Sequence, residues 1–356
     1  MQNNSIKIAS RMYDYEVVFT DNAASTLKDI SEECVYVIDR NVYKLYADYF
    51  RDIPDSRVFL NDAVEEKKNM DTVMDIITFF SSVGVKKNWK VICFGGGITQ
   101  DLTTVAADLF LRNVEWYFFP TTLLAMCDSC IGGKCGINFK GVKNQIGVFY
   151  PPHKIFIDLK FLDTLTEDDY LNGWGELLKF SLTSDEDFFK ELKDEKKYIP
   201  CSNIGKYVKW GLEVKKRIIE IDEFEADLRR VLNYGHTFGH ALEAYTHNAV
   251  PHGKGVIWGI DVVNYIALRE GLIDKDYYLE IKSLIKEHFL KEEVKVSNPH
   301  ALFEIIKKDK KVKNNTIYLA LLNGKSKLCV YPMPIDEKLE KMYLDYLKET
   351  DEYYNG

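Results

Sequence analysis

The sequence predicts an α/β protein in which an N-terminal Rossmann-like domain, built on a parallel sheet, is followed by a mostly α-helical C-terminal domain. The chain has 356 residues, which is more than one domain usually holds. Its first half alternates short β-rich runs with amphipathic stretches, as parallel α/β sheets do. Beyond about residue 160 the apolar residues follow helical spacing. The predicted domains are therefore residues 1–155 and 156–356, with the boundary near Pro151 and Pro152.

The predicted strands of the N-terminal domain share one feature, which is that each stops at a glycine, a proline or an aspartate. They cover residues 35–38, 91–94, 116–119 and 154–157. A helix is predicted over residues 70–80 from its apolar spacing. Because ligands of open parallel sheets bind where the strands end, the residues at these ends are candidates for a binding site.

The C-terminal domain is predicted to consist mainly of helices, since strand signals are few in this part of the chain. Its clearest helical segments are residues 185–193, 204–220 and 255–269. Neither an internal repeat nor a low-complexity tract interrupts the pattern. We therefore expect one compact helical domain here.

The charge balance argues against sequence-independent binding of nucleic acid. The chain has 47 Lys and Arg against 55 Asp and Glu, a formal net charge of −8, whereas such proteins need a basic face.

No apolar run approaches the roughly 20 residues of a membrane-spanning helix, and the polar start of the chain carries no export signal. We expect a cytoplasmic protein whose seven cysteines are free thiols.

Three of the cysteines permit a second interpretation. Cys127, Cys130 and Cys135 form a C-x-x-C step followed by a third thiol, a spacing that can hold a metal ion or an iron–sulfur cluster. The alternative is that they are small residues that fill tight turns. No fourth cysteine lies nearby, which favours the alternative.

A glycine-rich turn follows the second predicted strand and precedes a plausible helix. Gly95, Gly96 and Gly97 would let backbone amides approach a pyrophosphate without obstruction by Cβ atoms, and the helix dipole favours negative charge there. The same three residues are also compatible with a simple tight turn. Spacing alone does not decide between the two.

The histidines suggest a metal site. His236 and His240 are four residues apart, so on a helix both imidazoles share one face and can ligate one ion. A buried histidine that bonds to the backbone is the alternative for His236. Glu176 has a similar ambiguity, because it can pair with Lys179 on a solvated helix face. The other histidines, His153, His247, His288 and His300, have no motif context and are interpreted as surface or packing residues.

Four segments together resemble the 3-dehydroquinate synthase family over roughly residues 35–325. They are residues 120–134, the pair Lys143 and Asn144, residues 233–240, and the pair His252 and Gly253. The resemblance implies a Rossmann-like domain followed by a helical one. It also implies that Glu176, His236 and His252 hold Zn²⁺ or Co²⁺, while His240 contacts the substrate.

The resemblance further implies that the glycine turn binds NAD. The residues that match the family's cofactor positions are Asp39, Glu65, Lys68, Gly96, Gly97, Asp101, Thr121, Thr122, Lys143 and Thr164.

A third set of matching residues is expected around an anionic substrate. It comprises Arg112, Asp128, Lys134, Asn144, Lys179, Lys215, Arg229, Asn233, His240 and Lys310. The resemblance assigns the substrate carboxylate to Lys134, Lys215 and Arg229. Arginine can grip an oxyanion with two hydrogen bonds, whereas lysine acts as a point charge. Asp128 would orient a substrate hydroxyl or a metal-bound water. The ring hydroxyls and the phosphate are assigned to Asn144, Lys179, Asn233, His240 and Lys310, while Arg112 is placed around the substrate or cofactor without a separate role.

The reaction that the resemblance implies converts 3-deoxy-arabino-heptulosonate 7-phosphate to 3-dehydroquinate and phosphate. It proceeds by transient oxidation by NAD, β-elimination of phosphate, reduction and intramolecular aldol closure. The family is commonly dimeric, so we expect a homodimer that binds a small sugar phosphate and neither nucleic acid nor a membrane.

Several positions depart from the family pattern and leave the substrate open. Gln100 stands where the family usually has glycine, Asn113 follows Arg112 in place of glycine, and Lys254 follows His252 and Gly253 in place of glutamate. A cyclase that makes another carbocycle, for secondary metabolism or surface polysaccharide, is therefore one alternative. A metal- and NAD-dependent polyol dehydrogenase is another, and a non-enzymatic metal-binding or scaffold protein is the third.

Overall fold

The computed structural model describes residues 5–30, 33–183, 186–291, 294–309 and 312–355, without the side chains of residues 354 and 355. The chain divides into two compact units. The first consists of Met1–Tyr170 and Lys215–Phe224, and the second of Leu171–Val214 and Glu225–Gly356. The domains predicted at 1–155 and 156–356 stay a prediction.

The first unit is built on a seven-stranded sheet with the order β1-β2-β9-β6-β5-β3-β4. Its strands are β1 Ser5–Ile8, β2 Tyr15–Phe19, β3 Cys34–Asp39, β4 Val58–Asn61, β5 Lys90–Gly95, β6 Trp116–Pro120 and β9 Lys154–Ile157. Only the β1–β2 pairing is antiparallel among these strands. The predicted parallel sheet is confirmed, and its four predicted strands correspond to β3, β5, β6 and β9.

The sheet is held by a stacked aromatic core and covered by helices. The rings of Phe94 and Phe119, on neighbouring strands, stack with centroids 4.2 Å apart, and Phe156 continues the stack at 4.9 Å from Phe119. The helices of this unit are α1 Ala23–Lys28, α2 Arg40–Leu45, α3 Ala47–Phe50, α4 Met70–Val83 and α5 Gly97–Leu109. Asn69 caps the amide of Thr72 at the start of α4, and Gly84 ends that helix in the left-handed conformation.

A hairpin and a π-helical turn are among the features of the first unit that were not predicted. A hairpin of β7 Lys134–Phe139 and β8 Val142–Phe149 forms a separate two-stranded sheet. A single π-helical turn, Ala125–Ser129, follows β6. Both lie in the segment that carries the predicted substrate residues, where polar and glycine-rich sequence gives no clear apolar period.

The second unit is mostly helical, as predicted. Its helices are α7 Glu186–Lys193, α9 His236–Tyr245, α10 His252–Arg269, α11 Lys275–Leu284, α12 Pro299–Lys307 and α13 Glu337–Asn355. Helices α6 Glu167–Ser181 and α8 Ile204–Ile221 contribute residues to both units. A hairpin of β10 Thr316–Leu322 and β11 Leu328–Pro334 is an addition to the expected helices. No helix within the described ranges has the length and apolar character needed to cross a membrane.

Glycines bring three helices of the second unit unusually close. A Cβ atom on Gly259 of α10 would lie 2.0 Å from the carbonyl oxygen of Gly235, directly before α9. A Cβ atom on Gly175 of α6 would lie 2.8 Å from the carbonyl oxygen of Gly253 on α10. Side chains at these positions would push the helices apart, so the glycines fix the mutual positions of α6, α9 and α10.

Candidate functional site

Two histidines and a glutamate converge in the second unit. Glu176 projects from α6, while His236 and His252 are the first residues of α9 and α10. The Nε2 atoms of His236 and His252 lie 3.3 and 3.1 Å from Oε1 of Glu176. The three potential ligand atoms are all within 4.8 Å of one another. Residues 60 and 76 positions from Glu176 are thus gathered at one point by the close helix packing.

The other ring nitrogen of each histidine has its own partner. Nδ1 of His236 lies 3.0 Å from the carbonyl oxygen of Tyr234, and Nδ1 of His252 lies 2.9 Å from Oε1 of Glu243. Partners of this kind fix the orientation of metal-binding imidazoles. Two imidazole nitrogens and one carboxylate oxygen form a set that suits zinc and leaves further coordination positions for a substrate or water. The residues present therefore fit a catalytic divalent cation.

The electrostatics of the cluster favour a cation. Burial by itself would raise the pKa of Glu176, but Lys179 and His236 oppose it and leave that pKa well below its usual range. Burial would lower the pKa of His252, whereas hydrogen bonds to Glu176 and Glu243 raise it to about 10. The two carboxylates thus favour a positive charge on His252 when no ion is bound. A bound cation takes over the role of that proton.

Lys179 belongs to the same cluster. Its Nζ atom pairs with Oε2 of Glu176 and lies 4.5 Å from the ring centroid of Phe180. Only 2% of Lys179 is exposed, so the pair lies inside the unit and not on a solvated helix face. Burial makes this ion pair sensitive to the loss of either partner.

Three other predicted substrate residues of the second unit, His240, Arg229 and Asn233, lie on α9 or shortly before it in sequence. The ring of His240, which is exposed, has its centroid 5.2 Å from that of His236 and 5.8 Å from that of His252. Arg229 and Asn233 belong to the short 3₁₀ helix Leu228–Asn233, and Arg229 is buried. The Nδ2 atom of Asn233 donates to Glu225 at 2.9 Å. The predicted residue Lys310 lies outside the described residues.

In the first unit the glycine turn joins β5 to α5. Gly96 is the N-cap of α5 and has no side chain with which to cap the first amides of the helix. A Cβ atom on Gly96 would lie 2.9 Å from Cγ2 of Thr122, whereas Gly97 has no neighbour within 4 Å of the corresponding position. A bare helix N-terminus beside an open Gly97 fits the pyrophosphate of a dinucleotide.

Three predicted cofactor residues lie at the same edge of the sheet as this turn. Asp39 ends β3, and Thr121 and Thr122 follow β6, while both strands pair with β5 in parallel. The carboxylate of Asp39 caps α2 by accepting from the amide of Asn41 at 2.7 Å. Burial raises the pKa of Asp39 despite its backbone hydrogen bonds. These residues therefore lie at the carboxyl ends of parallel strands, where ligands of such sheets bind.

A buried lysine connects more of the predicted residues. Nζ of Lys68 lies 2.6 Å from the carboxylate of Asp101 and 2.8 Å from Oδ1 of Asn144. Burial raises the pKa of Asp101, and Lys68 opposes that effect. The neighbouring Glu65 accepts from Nδ2 of Asn138 at 2.8 Å. Two predicted cofactor residues and one predicted substrate residue are thus linked through Lys68.

Asp128 and Lys215 form a second buried pair in the first unit. Nζ of Lys215 donates to the carbonyl oxygen of Asp128 at 2.7 Å and also to its carboxylate. The two side chains are 8% and 14% exposed, for lysine and aspartate respectively. The structure therefore brings together the predicted hydroxyl-orienting residue and one of the predicted carboxylate-binding lysines.

The remaining four predicted residues are exposed. Arg112 lies in the turn after α5, Lys134 begins β7, Lys143 lies on β8, and Thr164 ends a 3₁₀ helix. Thr164 shares a hydrogen bond of 2.9 Å with the hydroxyl of Tyr46. The roles assigned to these four residues stay predictions.

Glu243 is a candidate residue that the sequence did not reveal. It follows His236 by seven residues and His240 by three on α9, which places it on the same helix face as both. It is 7% exposed and bonds to His252. Its atoms also form a second possible ligand group with His240 and His252. The helical spacing was a usable signal, but glutamates at such spacing are common on solvated helix faces.

The cysteine hypothesis receives no support among the described residues. Cys127, Cys130 and Cys135 are buried free thiols, and neither of the two possible metal-binding groups in the described residues includes them. Burial raises the pKa of Cys130 to about 12 and also raises that of Cys135. Thiols with raised pKa values are poor metal ligands, so packing explains these residues.

Comparison with known families gives two adjoining matches. Residues 58–172 match the family model for the N-terminal part of 3-dehydroquinate synthase, and residues 173–312 match the model for the C-terminal part. The 3-dehydroquinate synthase of Clostridium tetani is 34% identical over 297 residues, which cover 82% of this chain and 80% of that protein. The 3-dehydroquinate synthase of Streptococcus equi subsp. equi is 31% identical over 97% of this chain and 98% of that protein.

A solved structure shares the whole fold. The 2-epi-5-epi-valiolone synthase of Streptomyces hygroscopicus subsp. jinggangensis, which was solved with NAD⁺ and Zn²⁺ bound, superposes with a TM-score of 0.86 at 24% identity. The similarity covers 96% of this chain and 99% of that one.

Proposed function

The chain belongs to the 3-dehydroquinate synthase family, and we propose that it converts 3-deoxy-arabino-heptulosonate 7-phosphate to 3-dehydroquinate and phosphate. The observation that carries the proposal is the meeting of Glu176, His236 and His252 around one point, with their supporting partners in place. This set suits a catalytic divalent cation, Zn²⁺ or Co²⁺. The glycine turn at the start of α5 supports NAD as the second cofactor.

The two cofactors have separate places in the chain. NAD is held by the N-terminal α/β domain, residues 1–155, through Gly96, Gly97 and the strand-end residues around them. The cation is held by residues of the helical domain, 156–356. When bound, the cation would supply Lewis-acid polarisation of substrate oxygens, and NAD would supply reversible hydride transfer without net formation of NADH.

The protein's own side chains bind and orient the substrate. Lys134, Lys215 and Arg229 hold the carboxylate. Asp128, fixed by Lys215, accepts a hydrogen bond from a substrate hydroxyl. The ring hydroxyls and phosphate are bound by Asn144, Lys179, Asn233, His240 and Lys310, and Arg112 is a further basic residue of the substrate site. Ring closure after phosphate has left requires a single conformation of the intermediate, and these contacts restrain it.

One alternative keeps the reaction type and changes the substrate. A cyclase for a different carbocycle shares this scaffold, as the fold similarity to the valiolone synthase illustrates, and Gln100 departs from the family pattern. The retained cations Lys215 and Arg229 favour the carboxylated substrate. A polyol dehydrogenase has no need for so many anion-binding residues and is less supported.

We also propose that the enzyme is a cytoplasmic homodimer. The seven cysteines are all free thiols, as expected in a reducing compartment. Light scattering of the purified protein is expected to give twice the 41.3 kDa mass of one chain.

The proposed function is tested by product analysis. Purified protein incubated with zinc, NAD and the heptulosonate phosphate should release phosphate, while the absorbance of the solution shows no accumulation of NADH. NMR should identify the product as 3-dehydroquinate. A heptulose phosphate that lacks the carboxylate serves as the comparison substrate. Preference for that comparison substrate would support the other cyclase, whereas stoichiometric NADH without phosphate release would support a dehydrogenase.

Replacing Glu243 by glutamine should weaken zinc binding by about 10- to 100-fold, because the carboxylate that orients His252 is lost. Zinc affinity is measured by competition with a chromophoric chelator. The matched control is Glu340→Gln, since Glu340 makes a similar contact of 2.8 Å with exposed His300. Equal zinc affinity in both variants would contradict the orienting role. Complete loss of bound zinc from Glu243→Gln would instead identify Glu243 as a ligand.

A further inference from the structure

Gln100 points its side chain at the π-helical turn that carries Asp128. It lies in the first turn of α5 and is 4% exposed. Its Nε2 atom donates to the carbonyl oxygen of Ser129 at 2.7 Å. In return the hydroxyl of Ser129 donates to Oε1 of Gln100 at 2.6 Å. The carboxamide therefore uses both of its ends on one residue.

The π-helical turn needs such a partner. Its characteristic bond runs from the amide of Cys130 to the carbonyl oxygen of Ala125 at 3.1 Å. At the end of any helix the last carbonyl oxygens lack amides from the following turn. Here the carbonyl oxygen of Asp128 accepts from Lys215 in addition to the amide of Ile131 at 3.4 Å, and that of Ser129 accepts from Gln100. Two side chains from different helices thus complete the end of this turn.

Asp128 lies next to both the hydrogen bonds from Lys215 and those with Gln100. Lys215 holds its carboxylate and its carbonyl oxygen, while Gln100 holds the next residue, Ser129. The carboxylate direction therefore depends on the backbone that Gln100 fixes. Glycine, which the family usually has at this position, cannot make either hydrogen bond.

We propose that Gln100 is a positioning residue that fixes the Asp128 turn through Ser129 and so aligns Asp128 and Lys215 with the substrate. The proposal rests on the proposed function, which places Asp128 and Lys215 against the substrate. It gives the departure from glycine a structural role in this chain. The carboxamide is specific, because glutamate can accept from the Ser129 hydroxyl but cannot donate to the Ser129 carbonyl oxygen.

Gln100→Ala is expected to lower kcat/KM for the sugar phosphate by about 10- to 100-fold, the scale of a small misplacement of reacting groups. Gln100→Glu should be at least as impaired, and Ser129→Ala less so. The control Thr104→Val removes a hydroxyl bonded to the backbone oxygen of Gln100 at 2.8 Å and leaves the carboxamide intact. This control should stay within about twofold of the wild type, because no catalytic group depends on that bond.

A second measurement separates positioning from stability and from the proposed function. Deuterium exchange of the backbone amides of residues 126–131 should accelerate in Gln100→Ala and not in Thr104→Val, with zinc content and NAD affinity unchanged in both. Deuterium exchange can be measured on the holoprotein whether or not the wild type turns over the heptulosonate phosphate. A lack of turnover by the wild type would refute the proposed function and leave the exchange result to decide the role of Gln100. The positioning role would be overturned if Gln100→Ala left the deuterium exchange of residues 126–131 unchanged. It would also be overturned if the variant kept the kcat/KM of an active wild type, or lost only NAD affinity or melting temperature.

Discussion

Replacing His252 by alanine should remove the divalent cation and abolish turnover. In the proposed site the imidazole provides one of three ligand atoms, and its Nε2 lies 3.1 Å from the carboxylate of Glu176. A Lewis-acid contribution of several kcal/mol corresponds to a fall in kcat of at least about 10³-fold. Metal content after dialysis, measured by mass spectrometry, and phosphate release should fall together. Added zinc should restore a chelator-treated wild type but not the variant.

The comparison variant is His300→Ala, because His300 is exposed and bonds to Glu340 away from the metal cluster. It should keep the zinc content and activity of the wild type. Circular dichroism should show that both variants retain the native helical content, since His252 begins α10 and does not support its interior. If His252→Ala retained one tightly bound zinc ion per chain, the assignment of Glu176, His236 and His252 as the ligand set would be wrong.

The sequence predicted the sheet more readily than the metal cluster. Strands β3, β5, β6 and β9 are buried runs of apolar residues bounded by clear stop signals, so local pattern is sufficient to find them. The hairpin of β7 and β8 lacks that contrast, because much of β8 is exposed and polar. Strands that are not buried in a sheet show only a weak pattern of apolar residues in the sequence.

The metal cluster illustrates a different limit. Local spacing indicates His236 and His240 as a pair, yet the ligand atoms gathered in the structure include Glu176 and His252 from other helices. Their convergence depends on close approach at Gly259 and Gly175, which is a property of tertiary packing. Only the family resemblance, carried by motifs far apart in sequence, brought these residues into the prediction.

Supporting residues were the hardest to predict. Glu243 and Gln100 act on neighbouring residues, and neither stands in a motif whose chemistry is evident from residue type. In the sequence Gln100 is notable only because the family usually has glycine at that position. The structure instead shows its carboxamide engaged with Ser129, a contact that depends on the unpredicted π-helical turn.

Replacing Arg229 by alanine should remove most of the preference for the carboxylated substrate. Arg229 is 5% exposed, and its guanidinium can bind a carboxylate through two parallel hydrogen bonds. The loss of a buried charged partner costs about 2–5 kcal/mol, so kcat/KM for the heptulosonate phosphate should fall by about 30-fold or more. Turnover of the heptulose phosphate that lacks the carboxylate should change far less, because it has no group to fill that contact.

The adjacent Arg230 provides a matched control, since it has the same charge but is exposed. Arg230→Ala should leave the ratio of the two kcat/KM values within about twofold of the wild type, as expected for a solvated surface charge. Arg229→Lys should recover part of the lost preference, because the charge is restored without the paired hydrogen bonds. An equal loss for both substrates in Arg229→Ala would show that Arg229 serves the folded structure or the phosphate, and the carboxylate would then have to be recognised by the lysines alone.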